Sequence, residues 1–150
     1  MEIRIISAED LDLSGRPIRG GVFVTVQTDP NCRCSTGVYT EGGSYHYLNE
    51  NLQMPLPSSS RAVLVEVNCK TSSGVKKVGT AEIPVSDFDG GNLPKDYLHI
   101  LSYRLREGNG RRNGIINLSV RIKSSPPPPP TAPSNHPTAM HNQKHLLTCI

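Results

Sequence analysis

Apolar side chains in this chain recur at every second position and almost nowhere at the three- and four-residue spacing of a helix. Alternation turns one face of an extended segment toward a core and the other toward water, so it dictates strands. The segments that carry it are Glu2–Ser7, Val22–Gln27, Thr36–Thr40, Glu50–Leu56, Ala62–Val67, Lys77–Ile83, Tyr97–Tyr103 and Gly114–Ile122. They predict seven or eight short strands, with Ala62–Val67, the most apolar, at the centre of a sheet. The first alternation breaks at Ala8-Glu9-Asp10. The best helical fragment is Val85-Ser86-Asp87-Phe88, where Ser86 is a candidate cap and Asp87 and Asp89 serve the turn. Strands with no helices between them predict an antiparallel sandwich or barrel and exclude a doubly wound nucleotide fold. The glycines of Gly15-Arg-Pro-Ile-Arg-Gly20-Gly21 therefore read as turn residues, since no helix N-terminus follows them to hold a phosphate.

The chain divides by composition. Residues 124–150 hold seven of the 13 prolines, including the run Pro126–Pro130, three of the five histidines and a single charged residue, Lys144. Such a segment cannot pair in a sheet or bury a core, and a disordered proline-rich tail is expected there, serving as a spacer or a docking motif. Residues 1–123 form the folded domain, with 15 basic against 13 acidic side chains. A net charge of +2 is too small to imply nucleic acid, and the basic residues are not interleaved with aromatics. No apolar run approaches the roughly 20 residues of a spanning helix.

Constellations for catalysis are missing from the pattern. No Ser/His/Asp or Cys/His set accompanies a nucleophile turn, and His99 lies on a strand, so the chain is expected not to be an enzyme. There is no charged-then-apolar leader, which predicts a cytosolic protein with Cys32, Cys34, Cys69 and Cys149 as thiols. Cys32-Arg-Cys34 lacks a second ligand pair inside the domain, and His136, His141 and His145 sit in the tail. The Asn117-Leu-Ser119 sequon falls on a strand and is expected to be unused.

The order of these segments resembles a C2 domain over residues 2–122. Glu2–Leu11 is similar to the family's opening strand and turn, and Val22-Phe-Val-Thr-Val26 to its Asp-Pro-Tyr-Val strand. Ser44–Leu52 is similar to its Asn-Pro-x-Trp-Asn-Glu segment, with Asn49-Glu50 kept, His46 in place of the proline and Leu48 in place of the tryptophan. Val65–Val67 and Val78–Pro84 resemble the strands around the family's third loop. More narrowly, Ile3–Leu11, Phe23–Thr28, Thr36–Ser44 and Gly114–Val120 resemble the small plant C2 proteins that associate with BONZAI copines. The resemblance implies an antiparallel C2-type β-sandwich, a copine-like protein partner, a monomer, and a peripheral place at a membrane, with the plasma membrane foremost. It also implies a role in restraining defence responses and programmed cell death.

A C2 domain commonly holds calcium with five carboxylates from its first and third loops. Carried onto this chain, the second aspartate of the first loop falls at Gly21, and the third-loop aspartates at Asn68, Lys70 and Lys76, leaving Asp10 and Asp12 nearby. Calcium takes six to eight oxygens. The ligand set is degenerate, so no metal or other cofactor is expected. The same exchanges collect Arg16 and Arg19 from the first loop and Lys70, Lys76 and Lys77 from the third as candidate lipid-binding residues for an anionic membrane surface. Ile18 and Val75 are the apolar loop residues available to dip into the interface. A second basic group, Arg104, Arg106, Arg111 and Arg112, flanks the Glu107-Gly-Asn-Gly110 turn.

Overall fold

A computed structural model describes residues 1–40 and 43–124. Among the described residues ten strands follow one another: β1 (Glu2–Glu9), β2 (Asp12–Leu13), β3 (Arg16–Pro17), β4 (Val22–Asp29), β5 (Cys32–Ser35), β6 (Tyr45–Gln53), β7 (Ala62–Thr71), β8 (Gly74–Pro84), β9 (His99–Arg106) and β10 (Arg112–Arg121). The spatial order is β5-β4-β7-β8-β9-β10-β1-β6, all antiparallel, with β2 and β3 forming a separate ribbon. β8 and β9 share one residue pair, Thr80 with Arg106. There the ladder splits into the two four-stranded layers of a β-sandwich, as the alternation and the resemblance led one to expect.

The core follows from that alternation. Ile3 and Ile5 of β1, Val22, Val24 and Val26 of β4, Val63, Val65 and Val67 of β7, and Ile116, Leu118 and Val120 of β10 are all buried. Each contributes about 1.5–3 kcal/mol relative to exposure. Leu48 of β6 is buried, and so is His46 two residues before it. β1 does not stop at Ala8. A bulge between Ile5 and Ser7 shifts its register against both β6 and β10. The extra residue keeps Ala8 in the core opposite Ile116 and turns Ser7 to the other face of the sheet, where its hydroxyl accepts the Asn117 amide at 3.0 Å.

Sequence and structure differ at several boundaries. β5 is built from Cys32–Ser35, a four-residue alternation outside the expected segments, whereas Thr36–Thr40 contributes a single bridge from Tyr39 to Val22. β6 begins at Tyr45 and β9 at His99, each displaced from the expected segment. Val85–Asp87 is a 3-10 turn capped by Pro84, so Ser86 lies inside it and not at its cap. Asp87 accepts the Tyr103 hydroxyl at 2.7 Å, and Asp89 pairs with Lys95 at 2.7 Å. Burial, then the Asp87 hydrogen bond, pushes the Tyr103 phenol far above its ordinary range. The proline-rich tail lies outside the described residues from position 125 onward; Ser124 donates its hydroxyl to Asp96 at 2.7 Å.

One buried amide ties the two layers together. Asn113 is 3% exposed; its side-chain NH2 donates to the carbonyls of Asp12 at 2.8 Å and Val78 at 3.0 Å, and its Oδ1 accepts the Asp12 N–H at 2.8 Å. A bulge at the start of β10 turns it inward, and Gly114 makes the bulge feasible with φ of +79°. A Cβ at Gly114 would lie 2.5 Å from the Glu9 carbonyl oxygen.

Asn113→Ala leaves those backbone groups unpaired and is expected to cost on the order of 2–4 kcal/mol in urea unfolding. Asn113→Asp is expected to be comparably harmful, because a carboxylate cannot donate to either carbonyl. A second prediction concerns pH. Burial raises the Glu2 carboxyl, but hydrogen bonds from Asn51 and Gln53 and the Arg121 pair at 2.7 Å outweigh it and hold the group below its ordinary 4.5. A depressed carboxylate stabilises the fold above its unfolded value and loses that contribution as pH falls through its native value. Wild type is therefore expected to exceed Glu2→Gln in stability at neutral pH, and the gap to close under strongly acidic conditions.

Candidate functional site

Four chain segments converge at one end of the sandwich. The Asp10 N–H donates to Ser44 O at 2.8 Å, the Gly21 N–H to Tyr39 O at 2.8 Å, and the Lys70 N–H to Gly21 O at 2.7 Å. Arg111 Nη2 reaches Asp12 Oδ1 at 2.7 Å, which brings the β9–β10 turn to the same end. The first loop is itself a small hairpin. Ser14 and Gly15 adopt φ of +56° and +82°, the signature of a two-residue type I′ turn, and they lift Arg16 opposite Leu13.

Between this hairpin and the β7–β8 hairpin runs a groove of about 410 Å³, with Arg16 and Arg19 on one wall and Cys69, Lys70 and Thr71 on the other. Lys76 stands opposite Cys69 across the β7–β8 ladder. Arg16, Arg19, Lys70 and Lys76 are exposed, and among the described residues no carboxylate lies within ion-pair distance of any of them. Lys77 differs, because Glu66 Oε2 lies 3.3 Å from its ammonium and Arg33 shares that carboxylate at 3.6 Å. The groove floor is neutral. Cys69 donates its thiol to Gly20 O at 3.4 Å, and burial pushes that thiol up, away from the reactive thiolate.

Ile18 is not available to a membrane. It is 5% exposed, part of the core, and its N–H donates to Leu11 O at 3.1 Å. The ribbon folds the first loop back on the sandwich, so only Val75, 56% exposed at the hairpin tip, stands free of the two.

The residues present do not fit a calcium cage. Gly21 has φ of +79°, and a Cβ there would lie 2.6 Å from Lys70 O, so no aspartate can replace it while the backbones of the first and third loops are joined by that hydrogen bond. Asp12 is neutralised by Arg111, Asn68 is buried, and Lys70 and Lys76 occupy the remaining positions. Among the described residues no group of three or more His, Cys, Asp or Glu could hold a metal ion.

Of the second basic group at this end, Arg106 and Arg111 serve the turn, while Arg104 and Arg112 are exposed. Arg111 pairs with Asp12 and with Glu107 at 2.9 Å, and Arg106 donates to Gly110 O at 3.1 Å. Cys34 and Cys69 are free thiols, as expected, and Cys32 is buried in the core. His99 is half-buried with its ring edge-on to Tyr97 at 4.8 Å. Sequence reading missed the groove's second wall at Cys69 and Thr71 and the Asn113 clamp behind it. The Ser14-Gly15 dipeptide was the available signal for the ribbon.

The chain is 39% identical over 127 residues to BON1-associated protein 2 of Arabidopsis thaliana. The match covers 82% of this chain, and the chain spans 61% of that relative's length. No family model matches. Among solved structures, a C2 domain of plant Extended Synaptotagmin 1 superposes with a TM-score of 0.62 at 16% identity, covering 83% of this chain and 95% of that one. A C2 domain-containing protein gives a TM-score of 0.63 at 16% identity, covering 90% and 91%. Human GIVD cytosolic phospholipase A2 matches over 17% of its length, with a TM-score of 0.61 and 14% identity. These likenesses fix the fold as C2.

With so poor a ligand set, addition of calcium up to about 1 mM is expected to move the melting temperature by less than about 1 °C, since only a ligand that binds the native state stabilises it. A rise of several degrees that chelator reverses would refute this.

Proposed function

We propose that this chain, which has the C2 fold and is similar over most of its length to BON1-associated protein 2, is a non-enzymatic adaptor. Its cationic end meets anionic phospholipid without calcium, and another of its surfaces binds a protein partner. The observation that carries the reading is the contrast in pairing. Lys95, Arg111 and Arg121 each have a carboxylate oxygen within 3 Å, while Arg16, Arg19, Lys70 and Lys76 have none among the described residues. Each cation at an anionic surface contributes on the order of 1 kcal/mol, so four supply about 4 kcal/mol, a factor of roughly a thousand in partitioning. Lys77, already beside Glu66, adds to the field but not to the contact.

A protein partner is favoured by a different feature. Tyr97, Leu98 and Ile100 are exposed, Ile100 at 72%, at the start of β9 and hence remote from the groove at the other end of that strand. Exposed apolar clusters of this kind mark interaction sites. The relative's name ties it to BON1, and a copine-type partner is the corresponding proposal here, with a peripheral position at the cytoplasmic face of the plasma membrane. A role in restraining defence responses and programmed cell death belongs to the same proposal. The second reading keeps the partner and drops the lipid.

Sedimentation with phosphatidylserine vesicles decides between them. Binding is expected to persist in chelator, to fall as salt rises from about 50 to about 300 mM, and to drop about tenfold or more in Lys70→Glu/Lys76→Glu. No binding at low salt, alongside retained capture of a copine, would leave only the protein-interaction module.

A further inference from the structure

The cations at this end do not stand apart: Arg16, Arg19 and Lys70 line one open depression. Its two walls come from segments more than 45 residues apart in sequence, and they are held in register by backbone. The Lys70 N–H donates to Gly21 O at 2.7 Å, the Cys69 thiol to Gly20 O at 3.4 Å, and Thr71 Oγ1 to Gly74 O at 2.7 Å within the hairpin. The backbone that carries Arg16, Arg19 and Lys70 is therefore fixed around one depression, so only side chains need to order when a ligand binds.

The chemistry of the walls narrows the ligand. Two arginines and one lysine line the same groove, and the fork geometry of a guanidinium matches phosphate oxygens bidentately. Among the described residues the groove's lining contributes a neutral thiol and no carboxylate to oppose a second negative charge. A phosphodiester bears about one charge and is flanked by substituents on both sides. A phosphomonoester carries between about 1.5 and 2 charges and presents three free oxygens from one side. An open depression lined by three cations gains more from the second, through its extra charge and its three free oxygens, than from the first.

We infer that the groove between the first-loop ribbon and the β7–β8 hairpin is a binding site for a phosphomonoester group, held by Arg16, Arg19 and Lys70. The inference rests on the proposed membrane role and deepens it, since the group would be carried by a lipid headgroup such as phosphatidic acid or by a small soluble ester.

The test compares vesicles of phosphatidic acid with vesicles of phosphatidylserine, matched in surface charge and free of calcium, using the full chain. Phosphatidic acid is expected to bind at least about fivefold more tightly. Arg16→Gln, Arg19→Gln and Lys70→Gln are expected to erase that preference while leaving the salt-sensitive attraction to both lipids. Lys76→Gln, outside the groove, is expected to weaken both equally and keep the preference. All four side chains are exposed, so melting temperatures near wild type certify the variants. Release of bound protein by glycerol 3-phosphate assigns recognition to the ester itself, whereas retention assigns it to the ester at a bilayer. Equal binding to the two vesicles overturns the phosphomonoester site but spares the membrane role. Binding to neither at low salt overturns both.

Discussion

The charged end of this sandwich depends on the Asn113 amide. Three hydrogen bonds from one buried side chain join β10 to the backbone of Asp12 in the first loop and of Val78 in β8, across the point where the two sheets separate. Asp12, so fixed, holds Arg111 at 2.7 Å, and the β9–β10 turn closes beside the ribbon. With the first loop anchored on that side, the hydrogen bond from the Lys70 N–H to Gly21 O anchors it on the other. The positions of Arg16 and Arg19 relative to Lys70 are thus set by buried or backbone interactions, and the cations themselves bear no structural duty. Their mutual repulsion is tolerated because the scaffold that gathers them is neutral and rigid.

The fold was readable in the sequence wherever one face is buried and the other is wet. Val22–Gln27, Ala62–Val67 and Gly114–Ile122 alternate, and they became β4, β7 and β10 with the expected faces inward. Reading failed where a backbone device replaces alternation. The β1 bulge at Ile6 made a continuing strand look like a break, and the bulge at Gly114 hid the inward turn of Asn113. β5 escaped for another reason: its alternation, Cys32 and Cys34 inward and Arg33 and Ser35 outward, is only four residues long. At the site, the charges of Arg16, Arg19, Lys70 and Lys76 could be counted in advance, but their pairing could not. Only the structure separates Lys77, drawn to Glu66 on the sheet face, from Lys76 one residue earlier. Ile18 looked like a loop residue because the ribbon that returns it to the core is only two residues long on each side.

The geometry also explains why the loss of acidic ligands here is more than a change of side chains. In a calcium cage the first and third loops stand apart and the ion fills the gap between them. In this chain the gap at Gly21 is closed by backbone: a Cβ would lie 2.6 Å from Lys70 O, and the glycine's positive φ disfavours any other residue. Restoring Asp at one position would therefore require the loops to part, and restoring it at Lys70 and Lys76 alone would leave too few oxygens. The substitution of cations for carboxylates and the closure of the loops are consistent with each other, and both favour direct contact with an anionic group.

The cationic groove and the Tyr97, Leu98 and Ile100 cluster occupy different ends of the molecule, and that separation has a consequence for how an adaptor can work. β9 runs from the exposed Leu98 and Ile100 region to Arg106 beside the charged turn, eight residues at about 3.3 Å each, or roughly 25 Å. That is two to three Debye lengths at physiological salt, so a partner docked near Ile100 would neither screen nor reinforce the groove's field. The cations nearest that surface are partly offset, with Glu2 lying 2.7 Å from Arg121 and 3.5 Å from Lys123. A membrane met by the groove would lie across the loop end, leaving the β9 surface directed away from the bilayer plane. The two contacts can then form in either order without electrostatic coupling. Any cooperativity between them would arise from confinement at the membrane, which raises the local concentration of a membrane-bound partner and not its intrinsic affinity.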